Sequence, residues 1–328
     1  MTLKDYFKQD TSNKTLWSTE VITLIYMLFT TILILIYGRN LADPIGMLFT
    51  RLYMLLGMLF LFLLYLKFPC RATAILRVFP ALLGLIWWYP ETYDFCSQYP
   101  YLDHVFAEID QALFGCQPAL LFHQLLPSTF WSEAFNMGYY AYYYMMAAML
   151  LFYLLRRYNQ ADRAGFIFLA SFFIYYVIYE FLPVAGPQFY FKAIGVEAGE
   201  TGVFPAIGYY FQTHTEMMAP EVKGIFSQLV QGAQEIGERP TAAFPSSHVG
   251  MSTVTMLLAW KTRNKWLFWI MFPMYLLLCC ATVYIQAHYL IDSICGFLFS
   301  IACFYLTGWM YEKWRGRKEQ KETDRMIE

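Results

Sequence analysis

Two short segments of this 328-residue chain hold the residue types that chemistry needs. The first, Ala243-Phe244-Pro245-Ser246-Ser247-His248-Val249-Gly250, leads straight into an apolar stretch. Serines behind a proline make a helix start that hydroxyl oxygens can cap. Such an N-terminus offers unpaired N–H groups and a positive dipole end, which together suit a phosphate. His248 falls in that first turn, where it can give a proton to a leaving oxygen. The second segment, His288-Tyr289-Leu290-Ile291-Asp292, puts an imidazole and a carboxylate four residues apart, on one helix face. The carboxylate can hold one ring nitrogen protonated and leave the other as a nucleophile. A single histidine near an interface is more often structural. An acid among apolar helix positions is costly in lipid and marks function.

Whether these groups meet depends on the elements between them. Hydrophobic residues make up 59 % of the chain, aromatic residues 20 % and charged residues only 14 %, with a mean hydropathy of +0.40. Soluble domains carry roughly 25 % charged residues, so the solvent for most of this chain is lipid. A span needs about 20 mostly apolar residues. Candidates lie near 19–37, 48–66, 73–89, 137–155, 165–182, 249–260, 266–285 and 290–311. The expected fold is an all-α polytopic membrane bundle of about eight helices, six of them a core that carries the chemistry. Its divisions are an N-terminal helix pair (1–72), the core (73–311) and a basic tail (312–328). The run Tyr139, Tyr140, Tyr142, Tyr143, Tyr144 reads as an interfacial aromatic belt with helix packing.

Eighteen of the 23 basic residues fall on one side of such a bundle, leaving Arg39, Arg51, Lys192, Lys223 and Arg239 on the other. The positive-inside bias then makes both termini cytoplasmic. From His248 the chain crosses inward and returns through 266–285, so His288 emerges on the same outer, periplasmic or lumenal, face. Two long segments, 90–136 and 183–245, lie on that face as interfacial stretches rich in aromatics. Cys96 and Cys116 share one of them and could pair in an oxidising compartment. The net charge of −1 gives no reason to expect a nucleic-acid partner; the expected partners are the membrane and a lipid substrate. No CxxC pair or acidic cluster suggests a metal, and no cofactor is expected.

The Pro-Ser-Ser-His and His-x-x-x-Asp segments, in this order and on adjacent spans, resemble the last two signatures of the type 2 phosphatidic acid phosphatase superfamily over roughly residues 137–311. The resemblance implies that His288 attacks phosphorus to form a phosphohistidine, that Asp292 orients it, and that His248 protonates the leaving group. It implies that Ser246, Ser247 and backbone amides hold phosphate oxygens. The superfamily's first signature, a lysine followed after six residues by Arg-Pro, is absent. Pro183-Val-Ala-Gly-Pro187-Gln188-Phe-Tyr-Phe-Lys192 stands there instead. Thr282 occupies the place of the arginine six residues before the nucleophile. These losses resemble the inositol-phosphorylceramide synthase and sphingomyelin synthase branch. So do the His-Tyr-x-x-Asp form of the last signature and the stretches Asp110–Pro118 and Pro183–Pro187.

The expected activity is metal-independent transfer of a phospho-headgroup to a lipid hydroxyl. The alternative is hydrolysis of a lipid phosphate. A proton-relaying transporter is a rival class, but it would gather polar groups near the midplane rather than at one face. Arg239 is the first candidate for the phosphate's cation, with Lys192 and Lys223 behind it. Glu180, Gln188 and Tyr190 are the candidates for substrate binding, and Glu180 could instead pair with Arg239.

Overall fold

The structure, a computed structural model, describes residues 6–10, 15–219 and 224–327. Lys223 lies outside them. The described residues are helical, with no β-strand among them. Helices α1 (Ser18–Tyr37), α2 (Pro44–Lys67), α3 (Arg71–Leu76) and α4 (Phe79–Cys96) open the bundle. Two short helices, α5 (Asp103–Phe114) and α6 (Pro118–Leu125), lead to α7 (Thr129–Arg156) and α8 (Tyr158–Phe181). Next come α9 (Pro187–Ile194), α10 (Val196–Glu200) and α11 (Ile225–Gly237), then α12 (Ser247–Lys261), α13 (Lys265–Tyr284) and α14 (Leu290–Ile327).

Among the described residues six segments are long and apolar enough to cross a membrane: Ser18–Tyr37, Pro44–Lys67, Arg71–Cys96, Tyr158–Phe181, Lys265–Tyr284 and Leu290–Arg315. The other two expected spans fall on helices α7 and α12, which are not among these six, and each departs from a simple apolar rod for a physical reason. In α7 tyrosines dilute the hydropathy. In α12 only 15 residues form the helix, and most of them are buried against protein rather than lipid. Its Thr253 donates to the Val249 carbonyl at 2.8 Å, one turn back, which satisfies the hydroxyl inside the helix.

The central post is α8, packed against α1, α4, α7, α12 and α14. Helix α1 belongs to this core: Tyr26 stacks on Phe173 with centroids 4.4 Å apart. By contrast α2 is mostly exposed along its length. The chain alternates direction so that α12 and α14 begin at the same end, while α13 returns between them. The opposite end gathers charges: Arg77 pairs with Glu20 at 2.8 Å, Arg157 donates to the Thr262 carbonyl at 3.2 Å, and Arg163 pairs with Glu312 at 2.8 Å. The short helices α5, α6 and α9–α11 cover the histidine end. Cys96 and Cys116 do not pair. The Cys96 thiol is buried 3.2 Å from the Thr241 hydroxyl, and Cys116 is free elsewhere on that end.

Candidate active site

His248 and His288 meet. His288 Nε2 lies 3.4 Å from His248 Nδ1, and both rings are buried. The sequence expectation has the Asp292 carboxylate holding the other nitrogen of His288, but that carboxylate is 3.8 Å away. The nearer partner of His288 Nδ1 is the main-chain carbonyl of Ala243, at 2.8 Å. A carbonyl can only accept, so Nδ1 carries the hydrogen and Nε2 keeps its lone pair toward His248. Burial pulls the His288 pKa down to about 4 against the raising effect of the Ala243 carbonyl. The ring is therefore neutral at ordinary pH. Asp292 Oδ2 accepts the Tyr289 N–H at 2.9 Å, the reach-back of a carboxylate in the first turn of a helix. Its Oδ1 is buried with no partner.

The loop that carries His288 is held by two acids the sequence reading left unassigned. Asp110 accepts the Leu290 and Ile291 N–H groups at 2.8 and 3.0 Å and so caps α14 from outside. Asp103 accepts the N–H groups of Ala185 and Gly186 at 2.9 and 2.8 Å and the Tyr289 hydroxyl at 3.2 Å. Burial raises the Asp103 carboxyl to about 7 and the Asp110 carboxyl to about 6, in each case against the pull of these donors. Gly186 has φ of +98°, and a Cβ there would stand 2.7 Å from the Ala287 carbonyl oxygen. The stretches around Asp110 and Gly186 thus build the wall behind His288.

His248 is held by rings. Tyr139 stacks on it at 4.6 Å and Tyr142 leans on it at 4.8 Å, so part of the tyrosine run belongs to the site. The Tyr139 hydroxyl is buried without a partner. Tyr179 donates to the Pro245 carbonyl at 2.6 Å and fixes the turn before α12. At Gly296 a Cβ would lie 3.1 Å from the Ser246 N, so glycine lets α14 approach the start of α12.

Of the phosphate and substrate candidates, Ser246 and Ser247 lie at the histidine pair, where the Ser246 N–H donates to the Asp292 main-chain carbonyl at 3.0 Å. Ser246 caps α12 through the Val249 N–H at 3.3 Å, and Ser247 is buried beside it. Arg239 is half-buried and donates to the Glu238 carbonyl at 2.7 Å; Lys192 is exposed at the end of α9. Among the described residues no lysine or arginine hydrogen-bonds either histidine. Thr282, where the resemblance would have an arginine, is buried and bonds the Ser293 hydroxyl at 3.0 Å. Glu180 does not pair with Arg239: it accepts the Tyr26 hydroxyl at 2.8 Å and binds α1 to α8. Tyr190 is buried with its hydroxyl on the Pro205 carbonyl at 2.9 Å. Gln188 donates its N–H to the Gln286 carbonyl at 2.9 Å, and its side chain accepts from Gln234 at 3.3 Å. Glu238, missed in the sequence, meets the Tyr89 hydroxyl at 3.1 Å. Burial raises it to about 7, opposed by Tyr89 and Arg239.

Beside the His288 loop lies a pocket of about 330 Å³ whose lining includes Asn136, Ser132, Ser227, Gln234, Gln286 and His123, with no Asp, Glu, Lys or Arg among the described residues. Among the described residues no group of three His, Cys, Asp or Glu side chains is placed to hold a metal ion. Residues 104–306 match the family model described as the PAP2 superfamily. No curated protein and no solved structure matches the chain.

Proposed function

The chain belongs to the PAP2 superfamily, which supports a lipid phosphatase or phosphotransferase type of activity, and from that premise we propose that it moves a phospho-headgroup onto a lipid hydroxyl through a phosphohistidine. The observation that carries this reading is the unprotonated Nε2 of His288, set by the Ala243 carbonyl on the other nitrogen and turned to His248. In the first step Nε2 bonds to phosphorus and the bond to the leaving oxygen breaks. His248 gives that oxygen its proton. In the second step the acceptor hydroxyl bonds to phosphorus, the N–P bond breaks, and the acceptor's proton returns to His248. Between the steps His288 is cationic, and the Asp292 carboxylate at 3.8 Å balances it.

Transfer in the manner of inositol-phosphorylceramide synthase, rather than hydrolysis, is supported by the amide and hydroxyl groups of Asn136, Ser132, Ser227, Gln234 and Gln286 in the pocket beside the loop. Its donors and acceptors match a neutral polyhydroxylated headgroup. In this reading no metal takes part, the histidine face is extracytoplasmic, and both termini are cytoplasmic. With no guanidinium bonded to either histidine among the described residues, charge on the phosphoryl oxygens falls to the start of α12 and its dipole. Arg239 and Lys192 act only from the rim.

The test is a mass-spectrometric search for phosphohistidine after mixing with a lipid donor. Wild-type protein should carry the adduct on residue 288, and His288→Ala should carry none. His248→Ala should lose about 10²–10⁴-fold with a lipid donor, yet still form the adduct from a nitrophenyl phosphodiester, whose leaving group needs no proton. An adduct on another residue, or equal rescue of both variants, ends the reading.

A further inference from the structure

To protonate a leaving oxygen, His248 must first carry the proton as an imidazolium, and three features of its surroundings oppose that charge. The ring is buried, and burial strips water from the charged form. It stands in the first turn of α12, where the positive end of the helix dipole disfavours a cation. Among the described residues no carboxylate bonds to it, and its one hydrogen bond is to His288, at 3.4 Å. Asp292 lies against the other nitrogen of His288, at 3.8 Å. The hydroxyls of Tyr175 and Tyr179, from α8, are given to the Gly296 and Pro245 carbonyls, and that of Tyr275, from α13, is bonded to Thr253. Glu238 acts electrostatically on Tyr139 without bonding the imidazole. What does face His248 is a pair of rings from α7. Tyr139 lies 4.6 Å away and within 25° of parallel, and Tyr142 lies 4.8 Å away, tilted by 45°. Three residues apart, they share one face of the helix. The face of an aromatic ring carries partial negative charge and attracts a cation within about 6 Å of its centre. The Tyr139 hydroxyl is buried without a partner, so the ring is what this residue offers the imidazole.

We propose that Tyr139 and Tyr142 are positioning residues that hold the proton on His248, their ring faces standing where a carboxylate could otherwise do so, an assignment that rests on the transfer reading above and deepens it. Ring faces suit this place better than a carboxylate. A second anion beside His248 would repel the incoming phosphate, whereas a ring attracts the imidazolium and adds no net charge. The contact is strongest where water is excluded, as it is here. When the bond from phosphorus to the leaving oxygen breaks, that oxygen takes the proton and His248 becomes neutral. When the acceptor hydroxyl attacks, its proton restores the cation against the same two rings.

The test uses full-length protein in nanodiscs carrying phenylalanine, or its mono-, di- or trifluorinated form, at position 139. The series keeps the ring's shape while draining charge from its face. Titration of the His248 ring is read by nitrogen NMR of labelled histidine, its signal identified by its loss in His248→Ala. Each added fluorine should move that titration to lower pH. The ratio of the rate with phosphatidylinositol as donor to the rate with a nitrophenyl phosphodiester should fall in step. In Tyr139→Leu the ratio should drop about 30-fold, the strength of one desolvated ring contact, and Tyr139→Phe should restore it. A misshapen site slows both donors and leaves the ratio where it was. A titration indifferent to fluorine, or a Tyr139→Phe protein as impaired as Tyr139→Leu, overturns the proposal. The NMR readout does not depend on turnover. A stepwise titration in a protein that forms no phosphohistidine keeps the ring assignment and discards only the transfer mechanism, whereas an adduct on residue 288 with a flat titration discards only the rings.

Discussion

His288 owes its nucleophilic nitrogen to a main-chain carbonyl, and that has a measurable consequence for pH. With the ring's pKa pulled down to about 4, against an ordinary value near 6.5, the neutral, attacking form is complete well below neutrality. The rate of phosphoenzyme formation from a nitrophenyl phosphodiester, which isolates His288 from the proton-donating role of His248, should therefore rise with pH through about 4 and be level by about 6. A limb centred near 6.5 would show that the ring is not held in this buried setting. Both histidines and Asp292 were legible from residue type and spacing, because few other arrangements place imidazole, imidazole and carboxylate at one membrane face. The Ala243 acceptor was not, since every residue has a carbonyl and only the folded path shows which one is aimed at a ring. Tyr139 and Tyr142 were hidden for a different reason: in a chain with 27 tyrosines, an aromatic run reads as belt.

The helices that bring these groups together were largely visible as apolar runs. Six match segments long and apolar enough to span. Helix α12 was visible only as a short run, because Ser252, Thr253 and Thr255, all buried among neighbouring helices, interrupt its apolar pattern. What composition concealed was the capping of one element by another across long sequence separations. Asp110 supplies α14 with two acceptors from 180 residues away. Asp110→Ala should leave both N–H groups without their acceptors and cost about 2 kcal/mol, at the upper end for loss of a helix cap. Chemical or thermal unfolding in detergent measures it. Activity should fall further than stability, since the freed turn begins two residues after His288. A loss below about 0.5 kcal/mol with unchanged turnover would show that the cap is incidental.

At the scale of the molecule, the two ends of the bundle differ in the groups they gather. One end pairs Arg77, Arg157 and Arg163 with acceptors, and the other carries both histidines under a cover of short helices. Cysteines placed at Thr213 and Arg263, both exposed and at opposite ends, should be labelled by an impermeant thiol reagent from the outer and the inner side respectively. Labelling of both from one side would end the eight-span arrangement. Cavities were beyond any sequence reading. Phe122 and His123 are neighbours in the chain, yet they line different cavities, and no local pattern announces which space each side chain will face.

The Ala243 contact also bears on how such a protein withstands genetic change. A side-chain acceptor is erased by a single codon; a peptide carbonyl survives every substitution at its own position. The instruction that orients the His288 ring is therefore written elsewhere, in whatever fixes the route of the backbone. Ala243 donates its N–H to the Val184 carbonyl at 3.0 Å, and Gly186 stands against Ala287. Damaging mutations should accordingly cluster around Val184–Gly186, at residues that take no part in the chemistry, while position 243 itself tolerates small replacements.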